Sequence, residues 1–198
     1  MSLFQRKPKT IEEKLRRDGA VGTDAQRELA FVAGEFEPKG ADVQAVITAI
    51  FLYFDQDPMA LSAFDHYFAH HDALSVIPLV EQQLMQYDIV TRPILGLALY
   101  LLRFATQEET VKFALSLLQY TDFNEKDPAM KLVYQMATRP AFALYALMSA
   151  LKSQGGTGAF YQVGQHTTVE GREIYTLMAQ NIIKGERQWN WDGYKKAP

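Results

Sequence analysis

DVQAVITAIFLYF, residues 42–54, decides the fold class. Its apolar side chains Val43, Val46, Ile47, Ile50, Phe51 and Phe54 recur at intervals of three and four. That period lines them along one face of an α-helix, where a strand would place them at every second position.

Working outward, the same pattern recurs. Asp57-Pro58 restarts the chain and predicts a helix with Leu61, Phe64 and Phe68 on its buried side. Ser75 is the expected cap of the next helix, on Ile77, Val80, Leu84 and Tyr87, with Pro78 in its first turn and an end near Asp88. Residues 93–105 are apolar nearly all round, which predicts a helix covered on several sides and makes it the candidate centre. Thr106 and Glu109 have capping-box spacing ahead of Val111, Ala114, Leu115 and Leu118. Asp127-Pro128 opens a helix to about Thr138, and Pro140 opens one carrying Leu144, Leu147, Met148 and Leu151. Residues 153–168 are broken by Gly155, Gly156, Gly158 and Gly164 and predict a loop with one short strand. Thr168 then starts a long helix on Ile174, Leu177, Met178 and Ile182 that closes near Gly185. Upstream, Thr10 with Glu13 marks a short helix, and Thr23 with Gln26 marks a second that ends near Gly34.

The sum is an all-α chain: one helical domain over residues 1–198, with a basic N-terminal arm (1–9) and a tryptophan-rich tail (186–198). Thr91-Arg92-Pro93 and Thr138-Arg139-Pro140 stand 47 residues apart, each opening an apolar helix. The same offset pairs Ile47, Ile50, Leu52 and Tyr53 with Ile94, Leu97, Leu99 and Tyr100. In this period the stretch from 42 to about 152 resembles the HEAT and armadillo helical-repeat proteins. The resemblance implies an irregular α-solenoid of stacked helices that binds protein partners along its grooves. The residues by themselves leave a compact helical bundle as the alternative.

The 198 residues include no cysteine, which removes disulfides, thiolate nucleophiles and cysteine-ligated metals. The start MSLFQRKPKT has no apolar run behind its basic residues, and the apolar stretches further on are too short to cross a bilayer, so the expectation is a cytoplasmic protein with no membrane partner. The net charge of −3 is unevenly spread: residues 1–17 carry +4, residues 184–198 carry +2 and the body between them carries −9. An acidic body argues against a nucleic-acid groove, which needs clustered positive charge.

Candidate chemistry is sparse. His66 and His70 are four apart on one expected helix, a spacing at which two imidazoles can share a metal, with Asp65, His71 and Asp72 near enough in sequence to add ligands. The plainer reading is an exposed polar face near a helix end. His71-Asp72 looks like the central pair of the HD-domain metal phosphohydrolases, but that family needs a further His well upstream, and the only others here are His66, His70 and His166. Gly155-Gly156-Thr157-Gly158 follows a helix and lacks the lysine of a phosphate loop. No Gly-x-Ser-x-Gly elbow marks a nucleophile. Glu12-Glu13 and Glu108-Glu109 sit in first turns, where they suit the helix dipole, and Arg92, Arg103 and Arg139 flank helix ends and reach for water. Trp189, Trp191 and Tyr194, set among Arg187, Lys195 and Lys196, read as a tail that folds back over the last helix.

The expectation is therefore a non-enzymatic helical scaffold with a protein or peptide partner, no cofactor, no metal and no assigned catalytic residue. A metal-binding or metal-assisted hydrolase domain using His66 and His70 is the rival. A small-molecule pocket lined by aromatics is a third possibility.

Overall fold

A computed structural model of the chain describes residues 25–36, 40–84, 91–120, 128–153 and 155–184. Among these every regular element is helical and no strand occurs, as the spacing of apolar residues predicts. The α-helices in chain order are α1 Ala25–Ala33, α2 Gln44–Phe54, α3 Ala60–Phe68, α4 Ala73–Leu84, α5 Thr91–Phe104, α6 Glu108–Leu117, α7 Pro128–Ala137, α8 Ala143–Lys152, α9 Gly156–Gln165 and α10 Val169–Lys184. Short 3-10 turns extend α6 (Leu118–Tyr120) and precede α8 (Pro140–Phe142). The N-terminal arm, the helix expected at Thr10 and the tryptophan tail lie outside the described residues.

Most starts and stops follow local chemistry. Asp42 accepts the Gln44 amide at 3.0 Å and so opens α2. Gly34, at φ +77, stops α1 in the left-handed conformation that glycine adopts without steric cost. Gln56 takes φ +60 to turn the chain out of α2, and Asp57 then accepts the Met59 amide at 2.8 Å ahead of α3.

Four expectations are corrected. Ser75 does not cap α4. The helix begins two residues earlier, and Asp72 accepts the Ser75 amide at 2.9 Å, which leaves Pro78 beyond the first turn. The Thr106–Glu109 capping box is replaced by tertiary capping: the cap residue of α6 is Gln107, whose own side chain makes no capping bond, and a carboxylate from α3 serves instead. Residues 156–165 form α9, where a loop and strand are expected. Gly164 is a packing position, where a Cβ would overlap the Tyr175 ring of α10; at the start, a Cβ on the cap residue Gly155 would come within 2.7 Å of the Ala159 Cβ, Gly156 takes φ +52, and Gly158 meets nothing within 4 Å. Close approach of α9 to its neighbours offsets the low helix propensity of glycine.

The centre is also not α5. Leu95, Leu99 and Tyr100 on that helix are only half-buried and Arg103 and Phe104 are exposed, whereas every residue from 141 to 150 is buried. α8 packs against α6, α7, α9 and α10. Ala143, Ala146 and Ala150 leave room for those helices to approach, and α6, buried from Thr110 through its 3-10 extension to Gln119, lies against α8. The Ser149 hydroxyl ties the two together, donating to Leu115 O at 2.5 Å. α1 packs on α10 far along the chain, and Asn181 Nδ2 donates to Val32 O at 3.2 Å.

Candidate functional site

Three regions hold the polar or exposed residues from which a function could be built. The first is a polar clasp where α1, α4, α6 and α8 meet. Arg27 Nη2 donates to Asp72 Oδ1 at 2.9 Å and to Ser75 Oγ at 3.3 Å, and its guanidinium lies 5.3 Å from the Phe36 ring centre. Burial works to raise the Asp72 carboxyl, but the Ser75 amide and hydroxyl and the Arg27 guanidinium outweigh it and hold it below the usual carboxylate value. On α6, Lys112 Nζ lies 2.9 Å from Glu108 Oε1 and 2.7 Å from Glu109 Oε1. Burial would lower the Lys112 pKa, yet the two carboxylates raise it above the ordinary lysine value. Glu108 is itself raised, because desolvation outweighs its pairing with Lys112. Tyr145 on α8 is fully buried. Burial, then the charges of Glu28, Glu109 and Asp72, push its phenol well above the usual value, so it stays protonated. The clasp pairs opposite charges and closes helix ends, which is the chemistry of assembly.

The second region is the histidine face. His66 and His70 are exposed and their rings stand 5.8 Å apart, edge to face. The residues expected to complete a metal site turn elsewhere. Asp65 accepts the Thr106 and Gln107 amides and the Thr106 and Thr110 hydroxyls. Asp72 holds Arg27. His71 stacks on Tyr67 at 4.1 Å, and its Nδ1 lies 2.9 Å from Tyr67 O. Among the described residues no group of three or more His, Asp or Glu side chains is placed to hold a metal ion.

The third region is an aromatic cleft of about 550 Å³ between the α2–α3 turn and α5. Tyr53 and Phe54 come from the last turn of α2, Gln56, Asp57 and Pro58 from the turn, Ala60 from α3, and Pro93 and Tyr100 from α5. The Tyr53 and Tyr100 rings meet at 5.3 Å with a 40° tilt, and Phe54 meets Tyr53 edge-on at 6.0 Å. Gly96 makes the arrangement possible, since a Cβ there would come within 3.1 Å of the Tyr53 hydroxyl. Burial, then the neighbouring Tyr100, raise the Tyr53 phenol above its ordinary value. Neither hydroxyl has a hydrogen-bond partner among the described residues. The apolar surface continues beyond the cleft: Phe51 is 40%, Phe104 43% and Met59 60% exposed. Arg103 sits at 5.8 Å over the Phe104 ring.

A shallower cleft of about 420 Å³ lies between α1 and α10, lined by Leu29 and Leu177 among the polar Arg172, Glu173 and Gln180. Whether the tryptophan tail covers α10 falls outside the described residues.

One feature of the sequence points to the walls of the aromatic cleft. The 47-residue offset that pairs Tyr53 with Tyr100 names two of its walls, but nothing in that offset says the pair faces outward. The remaining sequence candidates stay scattered: Gly155 to Gly158 belong to the start of α9, and Arg103 and Arg139 lie at helix ends.

Comparison with protein-family models, with curated proteins and with solved structures gives no significant match for this chain. No helix among the described residues is long and apolar enough to cross a membrane.

Proposed function

We propose that the protein is a non-enzymatic helical scaffold of the cytoplasm that holds a protein or peptide partner, and neither nucleic acid nor membrane, in the cleft walled by Tyr53, Phe54 and Tyr100. One observation carries the reading: a concave aromatic surface flanked by the exposed Phe51, Met59 and Phe104. Contiguous apolar surface of this kind costs solubility unless something covers it, and aromatic side chains supply most of the energy at protein interfaces.

We further read residues 42–152 as HEAT- or armadillo-like units. Ile47, Ile50, Leu52 and Tyr53 each share a burial class with the residue 47 positions on: two buried, two half-buried in both sets. Equivalent side chains of successive units stack in such arrays, and Tyr53 on Tyr100 has that relation. A third unit is less regular, because the positions 47 further on from Leu99 and Tyr100, Ala146 and Leu147, are fully buried under α6, α7, α9 and α10.

The test is site-specific photocrosslinking in cells that express the protein. A photoreactive amino acid at position 104 should give one discrete adduct, absent from a probe at Gln162 on α9 and lost when Tyr100 is changed to Ala. Absence of any adduct dependent on Tyr100 would overturn the proposal.

A further inference from the structure

Resting on the scaffold reading, we infer that the segment held in the aromatic cleft is an extended peptide carrying proline beside a lysine or arginine. Size comes first. A partner helix buries a stripe of anchors at i, i+3, i+4 and i+7, roughly 10 Å of apolar groove. A cleft of about 550 Å³ is of small-ligand size and takes a few side chains.

Shape and hydrogen bonding come next. The tilted faces of Tyr53 and Tyr100, with Phe54 set edge-on, make flat walls of the kind on which proline rings pack. Pro93 and Pro58 border the same cleft without closing it. The polyproline conformation leaves backbone carbonyls unbonded within the chain, and the Tyr53 and Tyr100 hydroxyls are donors with no partner among the described residues. A helical ligand would present carbonyls already engaged in its own hydrogen bonds. Proline also arrives with little conformational entropy to lose.

Charge supplies the rest. Asp57 is the one charged side chain lining the cleft among the described residues, and the exposed Asp55 stands next to it in the turn. These carboxylates favour a basic residue of the peptide at the Asp55–Asp57 end.

The test is fluorescence anisotropy of the full chain with labelled synthetic peptides. A peptide of tandem Pro-Pro-Arg repeats should bind, and analogues with Glu for Arg or Ala for Pro should bind about tenfold more weakly. Tyr100→Phe keeps the ring and removes one donor, so it should weaken binding severalfold; Tyr100→Ala should abolish it with an unchanged helical circular dichroism spectrum. Asp55→Lys should weaken the Arg peptide and flatten the salt dependence of its binding. Equal affinity for the Arg and Glu repeats, or for the Pro and Ala repeats, overturns the inference, as does binding indifferent to both Tyr100 variants. Self-association lost in Tyr100→Ala would make a second copy the occupant and overturn it too. Crosslinked partners whose captured segment lacks proline and basic residues would sink this inference and leave the scaffold proposal standing, whereas failure of all crosslinking strikes the scaffold proposal itself.

Discussion

Glu109 Oε2 accepts the backbone amide of Ala73 at 2.7 Å, so a side chain in the first turn of α6 closes the start of α4. The start of α6 is in turn closed by Asp65 from α3. A carboxylate of α3 thus closes α6 and one of α6 closes α4, a relay in which Lys112, with its side chain only 5% exposed, neutralises the middle carboxylate. Each unpaired amide left by a helix start is a site where a neighbouring helix can be fixed in angle and register.

Asp65 should therefore matter more than an ordinary surface carboxylate. Asp65→Ala removes the acceptor of two amides and two hydroxyls and should lower unfolding free energy by about 2 kcal/mol, with an unchanged denaturant slope. A chemical denaturation midpoint equal to wild type would refute the relay.

The clasp at Asp72 has a sign in pH. Its folded pKa lies below the unfolded value of 3.8, so its contribution is fully present above about pH 4 and is lost as pH falls through the folded value. Asp72→Ala should destabilise by about 1 kcal/mol at neutral pH, discounted for partial exposure, and the gap between variant and wild type should close as the solution is made strongly acid. Thermal melts across that range provide the check.

Alkali probes the other end of the scale. Lys112 has a folded pKa above 10.5, so its stabilising effect is complete below that value and disappears as pH rises past the folded one. Tyr67, whose hydroxyl donates to Asp42 O at 3.0 Å, is pushed up to about 12 by burial and by Asp42 and Asp72. Protein stability should decline from about pH 10 upward, and Lys112→Met should be destabilised at neutral pH by about 2 kcal/mol because Glu108 and Glu109 lose their counter-charge. A flat alkaline stability curve would contradict both assignments.

Two glycines of α9 should respond in opposite directions. Gly164→Ala drives a methyl group into the Tyr175 ring and should cost about 1–3 kcal/mol. Gly158→Ala meets nothing within 4 Å and should gain about 0.5–1 kcal/mol from helix propensity. Loss of stability in both variants would mean that residues 156–165 are not helical in solution.

Metal content separates the scaffold from the hydrolase. Purified protein should contain no stoichiometric metal, and His66→Ala and His70→Ala should leave partner crosslinking unchanged. One metal ion per chain, lost in both variants, would reverse the assignment.

Legibility in the residues varied with the range of the interaction. Val46, Ile47 and Ile50 announced α2 by their spacing alone, and all three are buried. Phe51 belongs to the same apparent stripe yet is 40% exposed. Ser75 and Asp72 are equally good caps of α4 locally, and only the approach of Arg27 and Glu109 favours the earlier start. The four glycines of residues 153–168 read as a break because glycine lowers helix propensity. Gly164 is compensated by its contact with Tyr175 on another helix, which no local pattern encodes, whereas Gly156 and Gly158 meet nothing within 4 Å.

The amino-acid order alone determined that this chain is built of helices and, to within a turn, where most of them begin and end, because periodicity and capping act between residues three or four apart. Which helix sits at the centre, which carboxylate closes which amide, and which aromatic rings remain uncovered were decided only when α5, α6 and α8 competed for neighbours. Those outcomes depend on side-chain volume and on contacts 30 or more residues apart, as between Asp65 and Thr110 or Tyr53 and Tyr100.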